Sequence, residues 1–254
     1  MKKNLTFTKI ANSIAFFLTL LINFLANYLP LNNISTGEVS ANYQNPFTPA
    51  GFTFSIWGLI YLLLFLFIIF QFKNSEQIKE GFSTGPYFVI ASLANISWLF
   101  LWHYQYIYLS MLVILILPLS LFQIFKRIHN YDNYSLKEYL SLKLPFSIYT
   151  AWVCIASLAN LMVTLVYFKS DWPPNFLVIA AATGILIGLY LTITILDKYQ
   201  DIAFSLVIVW AYLGIIAAQL SARQPAIVVI ITAALAIIII TTKNIPLLFK
   251  RYFN

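Results

Sequence analysis

The 254 residues are 61% hydrophobic and 9% charged, with a mean hydropathy of +0.84. A soluble domain averages about 45–50% apolar and about 25% charged, so neither a soluble globular enzyme nor a disordered chain fits; this is an integral membrane protein. The net charge of +7, from 15 Lys and Arg against 8 Asp and Glu, reads as the basic flanks of cytoplasmic loops rather than as a nucleic-acid surface.

Along the chain, eight uniformly apolar runs stand at 9–29, 53–72, 86–103, 107–125, 144–167, 175–196, 202–220 and 225–242. Each is close to the roughly 20 residues that a spanning helix needs, and none shows the period-2 alternation of a membrane β-barrel strand. The expectation is an all-α, polytopic transmembrane helical bundle of about eight spans with short loops. The first run follows Met1-Lys2-Lys3 but has no small-residue cleavage site after it, so it reads as an uncleaved helix rather than a secretory signal.

With the N-terminus placed inside, Lys2, Lys3, Lys9, Lys73, Lys79, Lys126, Arg127, Lys137, Lys143, Lys198, Lys243, Lys250 and Arg251 fall on the inner side, and only Lys169 and Arg223 on the outer side. That asymmetry predicts both termini in the cytoplasm and a cytoplasmic (inner) membrane. The acids Glu38, Glu76, Glu80, Asp132, Glu138, Asp171, Asp197 and Asp201 all lie in loops or at helix ends. A proton-driven pump or a dedicated ion channel would place charge at mid-membrane depth. Within the spans the notable side chains are instead Trp57, Trp98, Trp102, Trp152 and Trp210, with Asn95, Asn160 and Gln219. Trp172 reads as an interfacial belt residue, and Trp57 and Trp152 lie near enough to span ends for the same role.

Chemistry is sparse. Cys154 is the lone cysteine, so no intrachain disulfide can form, and it reads as a small buried hydrophobe. With it, His103 and His129 cannot build a structural zinc site without carboxylates. Phosphate-loop, dinucleotide, metalloprotease and nucleophile-elbow signatures are missing. Gly184-Ile185-Leu186-Ile187-Gly188 permits close helix approach, for packing within the chain more than for a homodimer. Leu165-Val166-Tyr167-Phe168-Lys169 fits the loose sterol-contact pattern, as an ordinary helix end also would.

The informative segment runs Asn45-Pro46-Phe47-Thr48-Pro49-Ala50-Gly51-Phe52-Thr53-Phe54-Ser55-Ile56-Trp57-Gly58-Leu59-Ile60-Tyr61. A Pro/Gly turn feeds straight into a span, and Phe54, Trp57 and Tyr61 at i, i+3 and i+7 predict an aromatic stripe on one helical face. Such a stripe serves packing, or walls a pocket under the turn.

This segment resembles the translocator protein family (TspO/MBR, tryptophan-rich sensory proteins, peripheral benzodiazepine receptor-like), whose pattern is W-T-P-P-G-W-x-F-G-P-x-W-x-x-L-Y. Thr48, Pro49, Gly51, Phe54, Trp57 and Tyr61 match it. Asn95-Ile96-Ser97-Trp98 is similar to the family's N-x-x-W, and Trp152 through Asn160 to its W-V-x-x-A-T-x-x-N. Phe47 and Phe52 stand where the family has Trp, Ala50 replaces the second Pro, and Trp57 comes one residue early.

The resemblance implies a five-helix bundle over residues 1–168, followed by a three-helix extension at 169–254. It further implies a tetrapyrrole ligand such as a porphyrin, or a sterol- or isoprenoid-like one, in a pocket among the helices. Carried over by position, Phe47, Pro49, Phe54, Trp57, Tyr61, Asn95, Trp98, Trp152 and Asn160 would bind it. The expected role is that of a sensor or carrier whose partners are the lipid bilayer and a small hydrophobic ligand, with no required cofactor, no catalytic residue and no metal. The alternatives are a transporter of another class, hinted at by the echo of Phe54-Ser55-Ile56-Trp57 in Phe146-Ser147-Ile148-Tyr149, and a membrane enzyme on an isoprenoid or tetrapyrrole. The lack of mid-span acids and of a His pair weighs against the enzyme.

Overall fold

The computed structural model describes residues 2–28, 31–73, 83–131, 134–168, 172–173 and 175–253. Of the charges used above, Glu76, Lys79, Glu80, Asp132, Lys169 and Asp171 lie outside the described residues. The described residues are helical with no strand. In chain order the helices are α1 (Lys2–Tyr28), α2 (Thr36–Asn42), α3 (Ile56–Phe70), α4 (Tyr87–His103), α5 (Ile107–Ile114), α6 (Ile116–Ile128), α7 (Leu144–Tyr167), α8 (Phe176–Tyr199), α9 (Ile202–Leu220) and α10 (Ile227–Phe253).

Among the described residues, seven helical stretches are long and apolar enough to cross a membrane, with α5 and α6 running together as Ile107–Ile128. The eighth expected span is the apolar helix α4, of 17 residues. It is about 25 Å long, short of the roughly 30 Å hydrocarbon core. Two spans run further than their apolar runs. Before α7, Ser135 and Glu138 form a capping box and a π-helical segment, Tyr139–Lys143, continues into the helix. α10 continues through Pro246 to Phe253.

The chain forms two compact units. The first joins Met1–Val39 with Ile56–Val153 and the second joins Ser40–Ser55 with Cys154–Asn254. The division expected at 168/169 falls inside the second unit, because the turn after α2 and the back half of α7 associate with the C-terminal helices.

In the first unit, α1 packs on α3 and α4, and α4 on α5 and α6. Phe67, Phe88 and Phe146, all buried, meet with ring centroids 4.8–6.0 Å apart. A buried neutral network ties the helix ends: Asn12 Nδ2 donates to Gln71 Oε1 (3.1 Å) and Thr84 Oγ1 (2.9 Å), and Gln71 Nε2 donates to the Lys9 carbonyl (3.2 Å). α4 ends in a Schellman motif, with Tyr106 N–H returning to Leu101 O, Gln105 N–H to Trp102 O, and Gln105 at φ 59°. His103, fully buried, donates from Nδ1 to the Leu31 carbonyl (3.2 Å) and so accepts at Nε2 from the Thr36 hydroxyl (2.9 Å).

In the second unit, α8, α9 and α10 pack pairwise. The α8–α9 link is two residues long: Gln200 is left-handed at φ 51°, and buried Asp201 caps α9 by accepting from Phe204 N–H (3.0 Å). Asn244 of α10 bonds Ser205 of α9, with Nδ2 donating to Oγ at 2.9 Å, and Lys243 pairs with Asp197.

Candidate ligand site

The first unit gathers Trp57, Tyr61 and Trp152. On α3, Trp57 and Tyr61 are one turn apart with stacked rings at 5.6 Å. From α7, Tyr149 and Trp152 meet Trp57 edge-on at 5.9 and 6.3 Å. These are the offset and T-shaped arrangements that aromatic quadrupoles favour. The regular helix begins at Ile56, so the stripe predicted from Phe54 is Trp57 and Tyr61 within α3, while Phe54 sits on the 3₁₀ segment Gly51–Ser55. Trp152 is 2% exposed; it belongs to the interior and not to an interfacial belt.

Asn95 of α4 is 1% exposed, and its side chain lies beside the Tyr149 hydroxyl. Its Oδ1 accepts from Asn23 Nδ2 of α1 at 2.8 Å. The buried hydroxyl of Tyr61 makes no hydrogen bond. The rings of Trp57, Tyr61, Tyr149 and Trp152 thus form an aromatic cluster that holds the unpaired Tyr61 hydroxyl. Trp98 stands in a second stack, against Trp102 at 5.6 Å, and Trp102 Nε1 donates to the Thr36 carbonyl at 3.1 Å.

The remaining predicted residues lie in the second unit. Phe47 is fully buried, its ring against the bare Cα of Gly184, where an added Cβ would come within 3.0 Å of Cε2. Gly188 is closed in the same way by the Tyr212 hydroxyl, which donates to the Ile185 carbonyl at 2.6 Å. The G-x-x-x-G run thus serves packing within the chain. Pro49 is buried, and the turn around it is held along α9. Gln219 Nε2 donates to the Pro46 carbonyl (3.1 Å), Ala50 N–H to the Gly214 carbonyl (3.0 Å), and Trp210 Nε1 to the Thr53 carbonyl (3.0 Å). Phe52 meets Trp210 edge-on at 5.4 Å. Asn160 is buried on α7, its carbonyl accepting from the Thr164 hydroxyl at 2.8 Å. Trp172 is exposed, stacks on Phe176 at 4.0 Å and donates to the Leu165 carbonyl, as a belt residue would.

Tyr149 and Asn23 were not foreseen in this setting. Tyr149 precedes Trp152 by nearly one turn, so helical spacing alone could have placed it on the same face. Asn23 is one of three amides, with Asn12 and Asn27, in the first apolar run, so nothing in the sequence sets it apart as Asn95 is set apart in its own. Among the described residues, no three His, Cys, Asp or Glu come together as a metal site would require.

The family model described as TSPO-like protein matches residues 9–243, a stretch that runs through α8 and α9 and into α10. No curated protein matches the chain, and no solved structure does.

Proposed function

The chain belongs to the TSPO-like protein family, and on that premise we propose that it binds a flat hydrophobic ligand in an aromatic pocket among its helices. The ligand class is a porphyrin-like tetrapyrrole or a sterol- or isoprenoid-like molecule. The role is that of a sensor or carrier rather than an enzyme. One observation carries the reading: around the Trp57 indole, three further aromatic rings converge from α3 and α7, and the hydroxyl of one of them, Tyr61, is buried without a partner. A buried unpaired donor costs about 1–3 kcal/mol. A ligand that stacks on the rings and accepts from this hydroxyl removes that cost, and apolar walls with a few oriented polar groups are the usual make-up of a small-molecule site. The basic residues of the inner segments support a cytoplasmic-membrane setting with both termini inside.

The test is to purify the protein from its membrane, identify co-purifying pigment or lipid by absorption spectrum and mass, and titrate the emptied protein with protoporphyrin IX and with cholesterol. Saturable binding of either supports the reading. Failure of both, with no co-purifying ligand, overturns it.

A further inference from the structure

Arg127, in the last turn of α6, is half-buried against the start of α4. Its Nη1 donates to the Ser83 carbonyl at 3.0 Å, and its guanidinium lies 4.9 Å from the centroid of the Tyr87 ring. Gly85, at φ 58°, leaves the space that the fork fills, since a Cβ there would come within 2.7 Å of Nη1. A guanidinium carries five N–H donors in a rigid plane. Among the described residues, Arg127 uses them for the Ser83 bond alone, and no acid pairs with it.

Other cations stand at the same end of the first unit. Gln71 bonds Asn12, and Asn12 bonds Thr84, so Lys73, two residues past Gln71, lies at the helix end that Arg127 closes. Lys126 is the chain neighbour of Arg127. Lys73 Nζ is 5.7 Å from the Phe70 ring and Lys126 Nζ 5.5 Å from that of Phe122, the posture of cations that reach from apolar surface to an interface. The carboxylate of Glu138 is engaged in the capping box with Ser135. By sequence, the whole net charge of +7 falls on the segments assigned to the inner side, because Glu38 and Asp171 offset Lys169 and Arg223 on the outer side.

We propose that this end of the first unit binds the phosphate of an anionic phospholipid headgroup, with Arg127 as the fork that bonds the phosphate and Lys73 and Lys126 as the surrounding charge. A planar fork bonds two phosphate oxygens at once, which the point charge of a lysine does not. The Ser83 carbonyl and the Tyr87 ring hold that plane before the lipid arrives, so little freedom is lost on binding. The occupant is a lipid rather than a free anion because the cations sit among Phe70, Tyr87 and Phe122, rings that suit the level where headgroups meet acyl chains. The inference is independent of the ligand site above.

The test uses the full chain in phosphatidylcholine vesicles and compares the association of spin-labelled phosphatidylglycerol with that of spin-labelled phosphatidylcholine. The wild type is expected to prefer the anionic lipid about fivefold, the equivalent of about 1 kcal/mol for one cation at the surface. Arg127→Gln should bring the preference to within about twofold, while Lys137→Gln, which removes an exposed cation from the same side, should change it by less than about 1.5-fold. Thermal midpoints separate binding from support. Phosphatidylglycerol raises the wild-type midpoint above its value in phosphatidylcholine alone. A merely structural Arg127 would lower both values in Arg127→Gln and keep that increment, whereas a binding role removes it. Lys73 is exposed, so Lys73→Gln folds whatever Arg127→Gln does, and it should lower the preference about twofold. Equal losses in Arg127→Gln and Lys137→Gln, an increment that survives in Arg127→Gln, or a Lys73→Gln preference equal to wild type overturns the site. Inorganic phosphate that raises the midpoint in phosphatidylcholine as far as phosphatidylglycerol does overturns the lipid as its occupant.

Discussion

The Trp57 cluster and the turn at 45–53 are built from the same materials, aromatic rings and neutral polar groups inside a helical membrane protein, and they close their hydrogen bonds differently. In the turn, the carbonyls of Pro46 and Thr53 and the amide of Ala50 are taken up by Gln219, Trp210 and Gly214 of α9, although the Thr53 hydroxyl has no partner. In the cluster, the Tyr61 hydroxyl, on a ring stacked against Trp57, is unpaired. A paired backbone is what a structural joint needs. Unpaired side-chain donors against aromatic faces are what a binding site keeps in reserve for a ligand. The contrast teaches that motif residues of one family pattern divide into those whose backbone is tied to α9 and those that gather in an aromatic cluster with an unpaired hydroxyl.

The largest effect expected is at Gly214. A side chain there would overlap Thr53, itself fully buried. Gly214→Leu should cost about 3 kcal/mol or more by overpacking, seen as a large drop in thermal midpoint and loss of monodisperse protein in detergent. Tolerance of leucine would break the claim that the turn is clamped on α9. Next comes Trp57→Leu, which removes the ring that three others contact. Protoporphyrin IX affinity should fall at least tenfold, the order of about 1.5 kcal/mol expected of one aromatic contact set. A smaller effect is expected at Gln219, whose Nε2 serves Pro46 and whose Oε1 accepts from Ala226 N–H at 2.9 Å. Gln219→Leu should cost about 1 kcal/mol, with faster amide exchange at Ala226 and ligand affinity within about twofold. Ala226 exchange equal to wild type would contradict the joint.

The smallest effect is at the start of α2. Ser35 and Glu38 form a reciprocal cap, Ser35 N–H donating to Oε2 at 2.7 Å, and this bonding from Ser35 holds the Glu38 carboxyl below its usual range. A carboxyl depressed in the folded state stabilises above its ordinary pKa, and that contribution is lost as pH falls through the depressed value. A carboxyl NMR titration should therefore show Glu38 protonating below the ordinary carboxyl range, and Ser35→Ala, which removes the hydroxyl and keeps the backbone N–H, should raise the midpoint part of the way back.

The helices were legible in the sequence because their apolar runs are long and their breaks are marked. Among the described residues seven helical stretches are long and apolar enough to cross a membrane, and α7 bears Trp152 inside the run expected for it. The extension of α10 past residue 242 lies beyond the apolar run, which ends at Lys243 and is followed by Pro246. In the structure the helix carries it through to Phe253. The family motif was legible too, but its use was not. Trp210 and Gln219 bond the turn across 157 and 173 residues of chain, a separation at which periodicity carries no information. Phe47 looked like a pocket residue by position, and its ring instead fills the notch at Gly184. Asn23 and Tyr149 required three-dimensional neighbours to acquire meaning, since a single amide or phenol in a span is as readily a packing residue.

The claim that the unpaired hydroxyl of the Trp57 cluster exists for a ligand is tested most directly by Tyr61→Phe, which deletes that hydroxyl and keeps the ring. The account predicts opposite signs: protoporphyrin IX binds about fivefold more weakly, while the thermal midpoint of the ligand-free protein stays level or rises, because a buried unpaired hydroxyl has been removed. Unchanged protoporphyrin IX affinity, or a lowered midpoint, would contradict it.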